Sequence, residues 1–164
     1  MTIDLPKQVQ DLFENTYGRP AHSADVRRFF SPGRINLIGE HIDYCGGLVF
    51  PAAVQFGTLI IAQPNDLGTV RVVSFNQPGK VEFDPAGELQ RSTPAHWGDY
   101  VKGVFVEYDK VNVRVSGLDV AVGGDIPGGG LSSSASLEVG IAVLIEAFTG
   151  YFSSKDNFAN RQAL

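Results

Sequence analysis

Four strongly polar side chains lie close together in the first third of the chain. They are Arg34, Glu40, His41 and Asp43, and their neighbours are mostly Ile, Leu, Asn and Gly. Charged groups beside apolar residues are costly unless they are paired or meet a polar ligand, so the cluster predicts a binding site rather than an ordinary surface. Glycines at positions 33, 39, 46 and 47 permit close backbone approach and turns with positive φ.

A second stretch that could take part in binding or catalysis, residues 123–137, is rich in glycine and serine. It follows a predicted strand and precedes a predicted helix. The first N–H groups of a helix lack helical partners and carry partial positive charge, so a glycine loop placed there is suited to binding phosphate. Ser132, Ser133 and Ser134 add hydroxyl groups, and a serine at this place can also ligate Mg²⁺. From the glycines alone, a serine-capped turn without a ligand remains open as an interpretation.

Three common motifs are absent from this stretch. No Lys follows the last glycine, so the P-loop pattern fails. The third glycine of the dinucleotide-binding pattern falls on Ser133 when the count starts at Gly128. Nothing in the stretch reads Gly-x-Ser-x-Gly, the turn that carries the serine of many hydrolases.

Composition limits the partners and the compartment. A chain of 164 residues is long enough for one domain with a real core. Its net charge of -5 and its lack of a basic run argue against nucleic acid or an acidic membrane as a partner. The one cysteine, Cys45, has no internal disulfide partner, and neither a signal peptide nor a membrane span is recognisable. We therefore expect a cytoplasmic protein.

Local signals predict several helices. Asp4 suits the N-cap of a helix over residues 4–17, and Gly18 suits its end. The helix predicted over 133–148 is apolar nearly all round and is therefore expected to be buried. Shorter helices are predicted at 99–106 and from Lys155 onward.

Apolar runs separated by turn residues predict the strands. The strands at 52–62 and 70–75 are expected to form an antiparallel pair about a turn at 65–68. The segment 85–98 has an irregular composition and is expected to be a loop. Further strands are predicted at 26–30, 80–83, 111–115 and 118–122.

With both polar stretches in view, the chain resembles the galactokinase family of the galacto-, homoserine, mevalonate and phosphomevalonate (GHMP) kinase superfamily. Residues 33–44, Gly-Arg-Ile-Asn-Leu-Ile-Gly-Glu-His-Ile-Asp-Tyr, are similar to the galactokinase signature, and residues 127–135 resemble the ATP-binding motif of the superfamily. Residues 96–103 resemble the family's Trp-x-x-Tyr-Val-Lys-Gly block. Ile42 and Cys45 depart from the family, which commonly has Thr and Asn at these places.

The resemblance implies roles for particular residues. Arg34 would stabilise charge on the transferring phosphoryl group, and Ser134 would ligate Mg²⁺. The resemblance implies sugar-binding roles for Glu40, His41, Asp43 and Tyr44. It implies ATP-binding roles for Ser74, Trp97, Gly128, Gly129, Gly130, Leu131, Ser132, Ser133 and Ser134. For three of these residues a purely structural role also remains open: Trp97 as a core aromatic, Ser74 as a strand residue and Asp43 as a turn cap.

The resemblance also implies a fold and a reaction. The expected fold is α+β, a mixed sheet covered by helices, and residues 1–164 would form the N-terminal galactose- and ATP-binding domain. The family transfers the γ-phosphoryl group of ATP to galactose with Mg²⁺ and gives galactose 1-phosphate. The family's chains are considerably longer, and their catalytic aspartate matches no residue here. We therefore expect the chain alone to be inactive. The full-length protein is expected to be a monomer.

Two other functions remain open from the sequence. A non-catalytic galactose- and ATP-binding transcriptional sensor is the first, although such relatives lose residues within the Ser-Ser-Ser-Ala stretch that is intact here at 132–135. An N-acetylgalactosamine kinase is the second. The size of the sugar pocket distinguishes it from a galactokinase, and the sequence does not reveal that size.

Overall fold

The computed structural model describes residues 4–126 and 131–151. Within these residues there are three α-helices and five strands. The five strands form one sheet, and the helices cover both of its faces. In chain order, the elements are α1 (Leu5–Tyr17), β1 (Arg27–Ile38), a 3-10 turn (Asp43–Cys45), β2 (Phe50–Pro64), β3 (Val70–Ser74), β4 (Lys80–Phe83), α2 (Gly98–Asp109), β5 (Leu118–Gly124) and α3 (Ser133–Thr149).

The first helix begins and ends where its sequence signals predict. The Asp4 carboxylate accepts a hydrogen bond from the backbone N–H of Lys7 at 3.2 Å, which satisfies one of the free donors of the first turn. Gly18 ends the helix in the left-handed conformation, with φ of 67°. Val9 and Phe13 are fully buried against the sheet. The helix predicted over 4–17 is therefore confirmed.

The sheet is mixed, as expected from the sequence. Its strand order is β1-β2-β5-β3-β4, and all neighbours are antiparallel except β3 and β5, which are parallel. Successive residues of a strand point to opposite faces, so Ile60 packs with α2 and α3 while Ile61 packs with α1. The sheet is thus covered by α1 on one face and by α2 and α3 on the other.

The predicted antiparallel pair of 52–62 and 70–75 is wrong. Strand β2 pairs with β1 and β5, and β5 separates it from β3. Residues 118–123 of β5 are all buried, which suits the centre of a sheet covered on both faces. Alternation predicts that a segment is a strand, but it does not say which strand lies beside it.

The strand predicted at 111–115 is also wrong. The backbone N–H groups of Val111 and Val113 both donate to the carbonyl of Tyr108, so this segment closes the end of α2. Val113 and Val115 still pack against the core, which explains the strand-like alternation in the sequence. Of the two predicted strands, only 118–122 is in the sheet, as part of β5.

The helix α3 is not buried on all sides. Leu144 and Ile145 lie in the core, whereas Val139 is 56% exposed and Val143 is 37% exposed. The helix predicted from Lys155 onward lies outside the described residues. No helix in the described ranges combines the length and the apolar character needed to cross a membrane.

Candidate functional site

Glu40, His41 and Asp43 of the polar cluster lie at the end of a hairpin formed by β1 and β2, and Arg34 lies within β1. Strand β1 continues beyond the predicted 26–30 to Ile38, which pairs with Phe50, and residues 39–49 connect the two strands. Gly39 has φ of 97°, and a Cβ atom there would come within 2.6 Å of the carbonyl oxygen of Leu48. Only glycine fits this turn without strain, so the turn fixes where the following polar residues stand.

The predicted sugar-binding side chains lie on an open surface. The Asn36 amide donates to the Glu40 carboxylate at 2.8 Å, and the Tyr44 hydroxyl lies 3.3 Å from Nδ1 of His41. Glu40, His41 and Tyr44 are all exposed. The side chain of Asp43 lies outside the described part of the structure.

The glycine-rich stretch connects β5 to α3. Asp125 lies on its strand side, where its carboxylate accepts the backbone N–H of Gly57 at 2.8 Å. Ser132, at the N-cap of α3, has φ of 57°, an uncommon conformation for a residue with a side chain. Gly128, Gly129 and Gly130, three of the predicted phosphate-binding residues, lie outside the described residues.

The two polar stretches meet at the backbone of β1. The N–H of Arg34 donates to the carbonyl of Leu131 at 3.2 Å. A Cβ atom on Gly33 would come within 2.8 Å of that same carbonyl oxygen and within 3.3 Å of the Ile126 side chain. The strand that carries Arg34 therefore touches both described ends of the glycine-rich stretch.

A buried hydroxyl joins the same two elements further inside. Ser136, in the first turn of α3, donates to the carbonyl of Ser31 at 2.6 Å and lies 2.9 Å from the Thr58 hydroxyl. Ser136 is 2% exposed, so these contacts are shielded from water. They hold the start of α3 against the strand that carries Arg34.

A cavity of about 400 Å³ lies beside the start of α3. Ser133 and Ser134 line it from the helix, Ser74 lines it from the end of β3, and Trp97 lines it from the segment before α2. The indole of Trp97 also packs against the core, which supports the structural interpretation of this residue, and its nucleotide-binding role stays a prediction. Four of the predicted nucleotide-binding residues thus share one cavity.

The structure adds residues to this cavity that the sequence did not single out. Asn76 makes two hydrogen bonds to the backbone of Gly124, one from its amide at 2.9 Å and one to its oxygen at 2.7 Å. The Ser74 hydroxyl accepts the N–H groups of Asn76 and Gln77, both at 3.2 Å, so it caps this turn as well as lining the cavity. In the sequence, Asn76 stands beside Gln-Pro-Gly and looks like an ordinary turn residue. The wall is completed by Thr58, Tyr100, Val122, Gly123, Ile126 and Leu137.

The donors at the start of α3 suit a magnesium ion held mainly by phosphate groups. No group of three or more His, Cys, Asp or Glu side chains in residues 4–126 and 131–151 is arranged to hold a metal ion. Mg²⁺ is usually bound by one or two protein oxygens together with substrate phosphates and water. The Ser134 hydroxyl is exposed on the cavity wall and is an oxygen ligand of that kind.

Comparison with known proteins assigns the chain to a family. A sequence family described as "Galactokinase galactose-binding signature" matches residues 11–64, and one described as "GHMP kinases N terminal domain" matches residues 99–162. The galactokinase of Clostridium tetani is 48% identical over 121 residues. The chain belongs to the galactokinase family. The alignment covers 73% of this chain and 31% of the C. tetani galactokinase, so the chain spans about a third of that relative's length.

Solved structures agree with this assignment. The crystal structure of Lactococcus lactis galactokinase complexed with galactose superposes with a TM-score of 0.76 at 35% identity, over 93% of this chain and 38% of that one. The mevalonate kinase of Methanococcus jannaschii shares the fold, with a TM-score of 0.63 at 18% identity, over 84% of this chain and 43% of that one. The expected α+β fold of the GHMP kinase N-terminal domain is therefore confirmed.

Proposed function

We propose that this chain is the galactose- and ATP-binding part of a galactokinase, which transfers the γ-phosphoryl group of ATP to the anomeric hydroxyl of α-D-galactose and gives galactose 1-phosphate. The observation that carries the proposal is the contact between the hairpin strand and the glycine-rich stretch, where the Arg34 N–H meets the Leu131 carbonyl. A phosphoryl transfer needs its two substrates side by side, and this contact brings the two candidate binding regions together.

The sugar half of the site would be the hairpin end. Glu40, His41, Asp43 and Tyr44 would hydrogen-bond the hydroxyl groups of galactose. Carboxylates accept hydrogen bonds, and imidazole and phenol groups both donate and accept, so the set can match a ring of hydroxyls. Recognition of this kind discriminates strongly, because a sugar with a misplaced hydroxyl leaves a polar group unpaired. The L. lactis relative, whose crystal structure contains galactose, supports this assignment.

The nucleotide half would be the cavity beside α3. Residues 128–134 would hold the phosphates through backbone N–H groups and hydroxyls, and Ser74 and Trp97 would contact the rest of the nucleotide. Ser134 would hold Mg²⁺ together with the phosphates, and the ion would supply positive charge that offsets the charge of the transferring group. The kinase relatives and the matched GHMP domain support an ATP-dependent reaction.

Arg34 would act between the two halves. In the reaction, the anomeric hydroxyl of the sugar loses its proton to a base that matches no residue of this chain, a bond forms from its oxygen to the γ-phosphorus, and the bond from that phosphorus to the oxygen of ADP breaks. A guanidinium next to the transferring group stabilises the negative charge spread over its oxygens. The exposed Arg34 side chain lies on the strand that touches the start of the nucleotide region. We further propose that the full-length protein acts as a monomer in the cytoplasm.

Calorimetric titration tests the proposal. Galactose and MgATP should each bind saturably, and glucose, which differs from galactose in the orientation of one hydroxyl, should bind far more weakly. N-acetylgalactosamine, titrated in parallel, distinguishes the related kinase activity. Equal affinity for glucose and galactose would count against a galactose site, and tighter binding of N-acetylgalactosamine would favour the alternative substrate.

A further inference from the structure

Trp97 lines two neighbouring cavities. The nucleotide cavity of about 400 Å³ and a neighbouring cavity of about 650 Å³ have Gln77, Trp97 and Tyr100 in common. The position of this indole therefore sets the shape of the nucleotide cavity. Trp97 precedes α2 and follows an irregular segment, so neither a helix nor a strand fixes the chain before it.

One contact holds the indole from outside that segment, and a second holds the residue after it. Its Nε1 donates to the carbonyl of Pro78 at 3.2 Å, in the turn that also carries Asn76. The next residue, Gly98, is packed so tightly that a Cβ atom there would lie 2.4 Å from the Val81 side chain. These contacts place Trp97 only if the chain leading to it is held as well.

The carboxylate of Asp99 holds that chain. It accepts the backbone N–H of Ser92 at 3.1 Å, the Ser92 hydroxyl at 2.8 Å and the backbone N–H of His96 at 3.2 Å. The Lys102 ammonium, one turn later on α2, lies 3.3 Å away. One side chain in the first turn of α2 therefore ties residues 92 and 96 to the helix.

The Asp99 carboxylate is ionised under ordinary conditions. Its side chain is 14% exposed, and burial by itself would raise its pKa. The hydrogen bonds from Ser92 and His96, with that from Lys102, outweigh burial and hold the pKa well below its usual range. An ionised carboxylate accepts hydrogen bonds on both of its oxygens, whereas an amide of the same shape has one accepting oxygen and no charge.

We propose that Asp99 is a positioning residue for the nucleotide site, where its carboxylate fixes residues 92–97 so that the Trp97 indole forms the wall of the cavity. Asp99 does not line the nucleotide cavity, so it acts through Trp97 rather than by touching the nucleotide. The expected effect of Asp99 on ATP affinity rests on the proposed function, whereas its effect on the position of the indole does not.

The protein carries a built-in reporter for this proposal. Trp97 is its only tryptophan, so intrinsic fluorescence reports on this one position. The test compares D99N with the wild-type protein and with the control E107Q. Glu107 is an acid on the same helix, its side chain is 68% exposed, and it is paired with Lys110. Acrylamide quenching measures how freely the indole meets solvent, and fluorescence and calorimetric titrations measure affinity for MgATP and for galactose.

In D99N the quenching constant of the ligand-free protein should rise about 2-fold. The affinity for MgATP should fall about 10-fold, within the range expected for the loss of a base–aromatic contact. The affinity for galactose should stay unchanged, and E107Q should match the wild-type protein in all three measurements. S92A, which removes the hydroxyl contact to Asp99, should change quenching and ATP affinity in the same direction by a smaller amount, and it serves if D99N fails to fold.

Three results would overturn the proposal. They are wild-type quenching in both D99N and S92A, an equal loss of galactose and ATP affinity, and an E107Q protein that behaves like D99N. A wild-type protein whose fluorescence and heat do not respond to MgATP would overturn the nucleotide assignment of the cavity. In that case, the quenching comparison would still decide whether Asp99 positions Trp97.

Discussion

At the scale of single residues, the proposed sugar site depends on hydrogen-bonding groups that are exposed in the free protein. Glu40 is oriented by the Asn36 amide, and His41 lies beside the Tyr44 hydroxyl. These neighbours hold the side chains in place while their outer surfaces remain free to meet hydroxyl groups. Their substitution should therefore affect sugar binding without disturbing the core.

The substitution E40Q should weaken galactose binding by about 10- to 100-fold. A hydrogen bond to a charged group contributes about 1.5–3 kcal/mol, and the amide replaces one acceptor with a donor. The affinity for MgATP should stay within about 2-fold, because Glu40 does not line the nucleotide cavity. Calorimetry measures both affinities, with the exposed Glu88 as the control in E88Q. A galactose affinity unchanged in E40Q would remove Glu40 from the sugar site.

At the scale of secondary-structure elements, local signals were sufficient wherever a contact lies within a few residues. Asp4 caps α1 and Gly18 ends it, and both were readable from the sequence. Strand partners were not, because the pairing of β2 with β5 depends on residues more than fifty positions apart. The valines at 113 and 115 show the same limit, since both pack against the core without pairing in a sheet.

The same contrast between local signals and long-range contacts applies to the candidate site. Its residue types were predicted from two short motifs, and the two motifs already suggested a sugar half and a nucleotide half. The atomic contact between Arg34 and Leu131 could not be predicted, because it depends on how β1 packs beside the start of α3. Asn76 was missed for a related reason, since its role appears only when its amide reaches Gly124.

The substitution G33A tests the contact between these two elements. The new methyl group would meet the Leu131 carbonyl oxygen at 2.8 Å and push the strand and the glycine-rich stretch apart. The affinities for galactose and MgATP should both fall, by about 5-fold or more, because the displaced contact joins the strand that leads to the hairpin end to the residues that lead into α3. Calorimetry on G33A checks this, and G103A is the matched control because its methyl group would meet nothing within 4 Å. Loss of only one of the two affinities would show that the contact does not join the two halves.

At the scale of the whole molecule, the sheet carries a buried ion pair away from the site. The Arg71 guanidinium donates two hydrogen bonds of 2.7 Å to the carboxylate of Asp119, which is 3% exposed. Asn65 donates to the same carboxylate at 2.8 Å. Burial alone would raise the pKa of Asp119, but the hydrogen bonds from Arg71 and Asn65 outweigh burial and lower the pKa. This pair joins β3 to β5 at the centre of the sheet.

The stability of the protein should therefore depend on Asp119 in acid. Because the pKa of Asp119 is lower in the folded state than the ordinary value of about 3.9, the unfolded state binds more protons near that pH. The stabilising effect is present above about pH 4 and is lost as the pH falls through the folded-state pKa. The free energy of unfolding should drop below about pH 4.

The substitution D119N should lower the free energy of unfolding by about 1–3 kcal/mol at pH 7 and should flatten its decline in acid. Urea unfolding at several pH values measures both effects. The control D66N changes an exposed turn residue and should follow the wild-type curve. An acid decline as steep in D119N as in the wild-type protein would show that Asp119 does not contribute to it.

We propose that the hairpin end and the glycine-rich stretch form one two-substrate site. A crystal structure of the protein with galactose and a non-hydrolysable ATP analogue tests it most directly. We expect the anomeric oxygen of galactose to face the γ-phosphorus across a short gap beside Arg34, approaching the roughly 3–3.5 Å of a reactive arrangement. The hydroxyls of galactose should meet Glu40 and His41, and the base should lie against Trp97. Galactose bound away from the hairpin end, or a γ-phosphate pointing away from the sugar, would contradict the account.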